Sequence, residues 1–341
     1  MDKIARRSAQ DRSDLFSETA SKLGIRPAIA EKDFWVCLVL NLLFVKSPFK
    51  QSLVFKGGTS LSKVYRLIER FSEDIDLVLD WQLIGFGEGL KDPMQNFDSK
   101  GKQDRFNRQI NQLAAAFIKK QLCPQLDELV QREDLGVSAV IDKTDPHVIN
   151  ILYPAAFSEE YIRPEVRLEI GPLASWVPSA THIIQPYAYE AFPNLFENPH
   201  TPVVAITAER TFWEKATILH QEAHRAKPIP RRYSRHYYDL DKLAQSSARD
   251  SAFAQIDLLR DVVQFKERFY PSNWARYDLA KPGSFKLLPT NAAQLEHLEL
   301  DYRDMQIMLF GNRPTFGSIF EVLSQLEAKI NALRSSAESQ D

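Results

Sequence analysis

The stretch from Leu53 to Leu79 constrains this 341-residue chain most. A short apolar run, Leu53–Phe55, is followed by Lys56-Gly57-Gly58, and a helical period resumes through Leu61, Val64, Tyr65 and Ile68. A second apolar run then spans Ile75–Leu79. That order predicts strand, glycine turn, helix, strand. Side chains alternate across a strand, so Ile75, Leu77 and Leu79 are expected to face a core, with Asp74 and Asp76 on the opposite face.

Two carboxylates two residues apart on one strand face repel unless a cation joins them. Mg²⁺ suits such a pair, because it takes oxygen ligands and is often completed by substrate phosphates. D-x-D alone is common, and a solvated strand face explains it equally well. The turn before it adds a second signal. Gly57 and Gly58 permit positive φ and close backbone approach. The helix start offers free N–H groups to an anion, and Thr59 and Ser60 add hydroxyls. The Walker A spacing is missing. Together the turn and the acids predict a phosphate tail bridged by a metal, Mg²⁺ or Mn²⁺. Lys63 is a candidate phosphate contact, and Ser72, on the face of Asp74, a candidate nucleotide contact.

Before this unit, residues 9–23 read as an amphipathic helix closed by Gly24, and a second helix runs from about Pro27 to about Val45. Residues 81–104 read as a long loop and 105–132 as a long helix. Strands are expected at 137–141, 148–152 and 165–170. The proline-rich residues 171–202 read as an irregular connection between a catalytic region, 1–170, and a mainly helical one, 203–341. Ser335–Asp341 reads as a polar tail. The fold class is α+β, a small mixed sheet with helices followed by a helical C-terminal half.

The formal net charge of −2 advertises no overall basic surface, so nucleic-acid binding must be local. The basic segment 224–238 is the candidate, since Arg and Lys neutralise phosphates and Tyr stacks on bases. Cys37 and Cys123 have no zinc spacing and are expected to be reduced. The apolar run 34–45 is shorter than the roughly 20 residues a spanning helix needs, and no apolar signal opens the chain. A soluble cytoplasmic protein without a membrane partner is expected.

FKGGTSLSKVYRLIERFSEDIDLVL resembles the nucleotidyltransferase toxins of the AbiEii/AbiGii type, which include the MenT-like toxins and carry the polymerase β-like nucleotidyltransferase fold. EKDFWV at 31–36, TFWEKATILH at 211–220 and SRHYYDLDKL at 234–243 extend the resemblance from about residue 25 to about residue 245. It implies an enzyme that transfers a nucleotide from a nucleoside triphosphate to a cellular RNA, such as the 3′ end of tRNA, and that a cognate antitoxin restrains. By the same resemblance Lys215 and Asp239 complete the active site, Lys215 on phosphate and Asp239 orienting Lys215 or acting near the nucleophile. A third metal carboxylate is expected at Glu169, in the alternating strand VRLEI. The rival readings are a small-molecule nucleotidyltransferase of the antibiotic-modifying kind and a nucleotide-binding regulator without catalysis.

Overall fold

A computed structural model describes residues 1–72, 74–87, 89–95, 97–158 and 162–333. The tail at Ser335–Asp341 lies outside the described residues. The chain divides into two compact units, one of residues 1–64 and 71–206 and the other of residues 65–70 and 207–341. The expected division differs, since residues 171–206 belong to the first unit and the six residues 65–70 to the second.

The first unit is built on a seven-stranded mixed sheet. Its strands are β1 (Leu53–Lys56), β2 (Asp74–Leu79), β3 (Ser138–Ile141), β4 (Val148–Leu152), β5 (Glu165–Gly171), β6 (Ser179–Ile184) and β7 (Thr201–Ile206). They lie in the order β3-β4-β5-β2-β1-β7-β6. β2 is antiparallel to β1 and parallel to β5, which puts it at the centre. Its helices are α1 (Asp2–Ala5), α2 (Ala9–Leu23), α3 (Pro27–Asn41), α4 (Gly57–Lys63), α5 (Lys100–Phe117), α6 (Cys123–Arg132) and α7 (Tyr187–Ala191).

The local signals act as expected. Gly24 closes α2 at φ 64°, and Pro27 opens α3. Ile75, Leu77 and Leu79 are all buried in the core. Three elements differ. The long helix starts at Lys100, capped by the Ser99 hydroxyl, and is interrupted by a π-helical turn at Ile118–Leu122. Pro124 follows in the first turn of α6, a position that tolerates the missing N–H. The helix after the glycines ends at Lys63, and Arg66 takes φ 53°. The proline-rich stretch carries β6, α7 and the start of β7, because Pro178 and Pro186 flank β6 rather than interrupt it.

The second unit is helical: α8 (Ala208–Ala223), α9 (Ser234–Ala244), α10 (Ser247–Ala254), α11 (Asp257–Phe269), α12 (Ala292–Met305) and α13 (Phe316–Asn331). Thr207 caps α8, its hydroxyl accepting from Arg210 N. Phe212, Ala216 and Leu219 are fully buried along one stripe of α8. Among the described residues no helix is long and apolar enough to cross a membrane.

Candidate active site

The acids of β2 face the side of the sheet away from Ile75 and Leu77. Paired residues on neighbouring strands share a face. Asp76 is in register with Lys56 of β1 and Glu169 of β5, and Asp74 with Arg167 of β5. Both aspartates are partly buried. Farther along this face, Val78 packs with Val54 and Ile206 in a small apolar cluster that bounds the acidic region.

The glycine turn and the acids meet. Gly57 has φ +80°, and a Cβ built on it would lie 1.8 Å from Asp76 Oδ2. Only glycine supplies both the backbone angle and the space. The Thr59 hydroxyl donates to the Asp74 carbonyl and the Ser60 hydroxyl to the Gly57 carbonyl, at 2.9 Å for the latter. Of the two hydroxyls expected at the phosphate, Thr59 ties the turn to β2 and Ser60 bonds within the turn, and both residues are buried. Gly57 and Gly58 open α4, and no side chain caps it. Ser72 is partly buried just before β2.

Lys63 departs from its expected role. Its ammonium lies 2.6 Å from Asp33 Oδ1, almost fully buried, and 3.8 Å above the Tyr187 ring. Burial lowers its affinity for the proton, but Asp33 outweighs that and holds the amine above its usual range. Lys63 therefore ties α4 to α3 instead of reaching for phosphate. The charges at the start of α3 are likewise structural and buried. Glu31 accepts from the backbone of Ala156 and Phe157 at 2.8 and 3.1 Å, and Lys32 donates to the Arg163 carbonyl at 3.2 Å.

Glu169 lies beside Asp76 in register, but its Oε1 is 3.7 Å from the guanidinium of Arg167 and its side chain is 44% exposed. Among the described residues no three carboxylates, imidazoles or thiols form a ready metal cluster. The carboxylates of Asp74 and Asp76 suit a hard, oxygen-preferring cation completed by water and phosphate oxygens. The Gly57 backbone leaves the Asp76 carboxylate room that a Cβ would fill. The donor set therefore fits Mg²⁺ or Mn²⁺ through two acids, with Glu169 beside them.

Arg167 is also 3.5 Å from Asp74 Oδ1 and 3.0 Å from Asp142 Oδ2. Burial works against its charge, but Asp74, Asp142 and Glu169 together raise its pKa.

The second unit carries its own charged cluster, around Asp239. This carboxylate is fully buried. Arg70 grips it with two parallel bonds, Nε to Oδ1 at 2.6 Å and an Nη to Oδ2 at 2.8 Å. Lys215 Nζ is 2.9 Å from Oδ2 and 3.1 Å from His236 Nδ1. Burial alone would raise the Asp239 carboxyl, yet Arg70 and Lys215 hold it well below the usual carboxylate range. Burial lowers the Lys215 ammonium, with Asp239 opposing. Burial and then Lys215 keep His236 neutral. Both Asp239 oxygens thus face cations, so Asp239 orients Lys215 in this arrangement.

Sequence reading missed Arg70 and His236. Each had a faint signal: Arg70 opens RFSEDID, and His236 precedes Asp239 by three residues, one helical turn.

The basic segment is partly loop and partly helix. Lys227, Arg231 and Arg232 are exposed. Asp301 of α12 fixes its backbone, accepting from Arg232 N at 2.6 Å and Ser234 N at 2.9 Å.

The first unit thus carries an acid pair against a glycine turn, and the second a buried lysine–aspartate pair. The model of the nucleotidyl transferase AbiEii toxin family, type IV toxin–antitoxin system, matches residues 39–326, and the chain belongs to that family. The match runs past residue 245, where the motifs readable in the sequence stop, and takes in most of the helical unit. The chain is a nucleotidyltransferase. No curated protein sequence matches it. Among solved structures, it is similar to MenT4, a nucleotidyltransferase toxin from Mycobacterium tuberculosis H37Rv. That match has 17% identity and a TM-score of 0.39, covering 95% of this chain and 99% of that one.

Proposed function

We propose that this chain transfers a nucleoside monophosphate from a nucleoside triphosphate to a hydroxyl of an RNA acceptor, with the 3′ end of tRNA as the leading target. The supporting observation is the meeting of the Gly57 turn with the Asp76 carboxylate, where a Cβ at Gly57 would stand 1.8 Å from the acid oxygen. Phosphate-binding backbone and metal-binding acids then form one surface.

In the reaction, the acceptor hydroxyl oxygen attacks the α-phosphorus. The bond from that phosphorus to the bridging oxygen breaks, pyrophosphate leaves, and the hydroxyl proton passes to solvent. Asp74 and Asp76, with Glu169 as a further oxygen donor, would hold two divalent ions. When bound, one would lower the pKa of the attacking hydroxyl and the other would stabilise charge on the departing pyrophosphate. The N–H groups at Gly57 and Gly58 receive phosphate oxygens, and Ser72 lies at the entry to the same strand. Lys215, aimed by Asp239, is assigned to neutralising triphosphate charge, in keeping with the electrostatic character of phosphoryl chemistry. The exposed cations of the basic segment are assigned to the RNA backbone. A cytoplasmic location and restraint by a cognate antitoxin follow from the family's toxin–antitoxin setting.

The test incubates the protein with total RNA and each α-labelled triphosphate, beside an Asp74→Ala, Asp76→Ala double variant. Label in RNA is expected with the wild type, falling on the order of a thousandfold in the variant. Label only in small metabolites would move the assignment to a small-molecule enzyme. Triphosphate binding with no transfer to any acceptor would leave a binding protein.

A further inference from the structure

Arg167 stands among the acids of the open sheet face, and it is held there from behind. One Nη donates to Asp142 Oδ2 at 3.0 Å. Asp142 is itself fixed: it accepts from Asn150 Nδ2 at 3.0 Å and from the Thr144 hydroxyl and backbone at 2.6 and 2.8 Å. From that anchor the guanidinium reaches to within 3.5 Å of Asp74 and 3.7 Å of Glu169. At 3.5 Å the contact with Asp74 is looser than the 3.0 Å bond to Asp142, so the guanidinium is anchored on Asp142 and only leans on Asp74. A guanidinium does not lose its proton at any working pH, so this positive charge is permanent.

We propose that Arg167 is a resident counter-cation that competes with a bare divalent ion for Asp74 and Glu169, so that metal is retained chiefly together with a triphosphate. The inference rests on the reading of Asp74 and Asp76 as metal ligands. Without metal, the guanidinium offsets the repulsion of the acids and keeps the face assembled. An incoming divalent ion meets a like charge one carboxylate away. A triphosphate brings several negative charges of its own, and the balance then favours the ion. Arg167 is thus a positioning residue, not a group that touches the reacting atoms.

The test measures binding of Mn²⁺ alone, by the loss of the free-ion paramagnetic resonance signal, with no nucleotide and no turnover. Arg167→Gln is expected to bind Mn²⁺ roughly tenfold more tightly than wild type, equivalent to about 1.4 kcal/mol. Arg167→Lys, which keeps the charge, is expected to stay near wild type. Asp142→Asn is expected to weaken Mn²⁺ binding several-fold, since a released guanidinium closes onto Asp74. This variant also serves if Arg167→Gln fails to fold. Unchanged or weaker binding in Arg167→Gln overturns the proposal, as does equal tightening in the Lys variant or an unmoved affinity in Asp142→Asn. An Asp74→Asn, Asp76→Asn variant separates the two levels. If it loses Mn²⁺ while Arg167→Gln gains nothing, only the counter-cation role fails. If it still binds Mn²⁺ like wild type, the metal site itself is wrong and the role falls with it.

Discussion

The acid pair of β2 and the cluster around Asp239 are made of the same chemical parts in opposite settings. Asp74 and Asp76 are partly open, and the nearest guanidinium stops 3.5 Å short of Asp74. Asp239 is closed off, with Arg70 at 2.6 and 2.8 Å and Lys215 at 2.9 Å. Partners near solvent are exchangeable, because water and ions replace them at little cost. A buried carboxylate has no such substitute, so its cations are fixed for the life of the fold. The first arrangement suits ligands that come and go. The second suits holding a lysine at one angle.

The sharpest way to break this contrast is to neutralise one acid in each place. Asp239→Asn leaves Arg70 and Lys215 facing each other without compensation, and is expected to cost about 3–5 kcal/mol of stability. Asp74→Asn is expected to cost under about 1 kcal/mol and to abolish transfer instead. Denaturant unfolding beside the labelled-triphosphate assay reads both. Comparable stability losses in the two variants would dissolve the distinction.

Gly57→Ala probes the open site from its backbone side. The added methyl meets Asp76 Oδ2 at 1.8 Å, and φ +80° strains any L residue, by about 1–3 kcal/mol. The carboxylate must swing away, so transfer activity should fall far more than the melting temperature does. A variant with wild-type turnover would show that the contact with Asp76 has no catalytic weight.

Acidification separates the regions more gently. His220 is buried, with Nε2 on the Arg276 carbonyl at 2.9 Å and Nδ1 accepting from Lys286 N at 3.1 Å. Burial lowers its pKa to about 4, from 6.5. His236 is lowered well below 6.5 as well. Below pH 6.5 the unfolded histidines take up protons and the folded ones do not. Stability present above pH 6.5 is therefore lost as pH falls from there toward 4, by about 1.4 kcal/mol per pH unit for each group. Asp241, raised by burial to about 6 from 3.8, acts in the opposite direction below pH 6. The carboxyls of Glu31, Asp33 and Asp80, also raised by burial, oppose the histidines as Asp241 does, so the effect is read as a difference between proteins. Between pH 6.5 and 4 the melting temperature of wild type is expected to lose ground relative to that of His220→Asn. Parallel pH profiles for the two would contradict the burial argument.

The smallest effect belongs to the basic segment. Arg231 pairs with Asp304 at 3.7 Å, with side chains 84% and 73% exposed. Arg231→Ala should change stability by under about 1 kcal/mol. It should weaken RNA binding across all sequences and lower the salt slope by about one charge.

Much of the sheet-borne site was legible because a strand writes its two faces into alternate residues. Ile75 and Leu77 against Asp74 and Asp76 need no partner strand to be sorted. Caps are equally local, as Gly24 and Thr207 show. Lys63 was not legible, because a lysine one turn after a glycine bend can serve phosphate or a buried acid. The acid that claims it, Asp33, lies 30 residues earlier. Arg70 and Asp239 are 169 residues apart, and no periodicity links them. The stretch 171–202 misled through its prolines, which mark strand ends as readily as irregular chain. Thr59 and Ser60 lie in the turn as expected, but the partner of the Thr59 hydroxyl belongs to β2, a strand 15 residues on.

The short excursion of residues 65–70 into the helical unit sets a rule for dissecting the molecule. A fragment cut cleanly at residue 207 would contain Asp239 and Lys215 yet lack Arg70, and so would inherit a sealed carboxylate stripped of its strongest counterweight. Neither half of this protein is a self-sufficient module by sequence order. Grafts, truncations and split reporters should carry those six residues along with the C-terminal part.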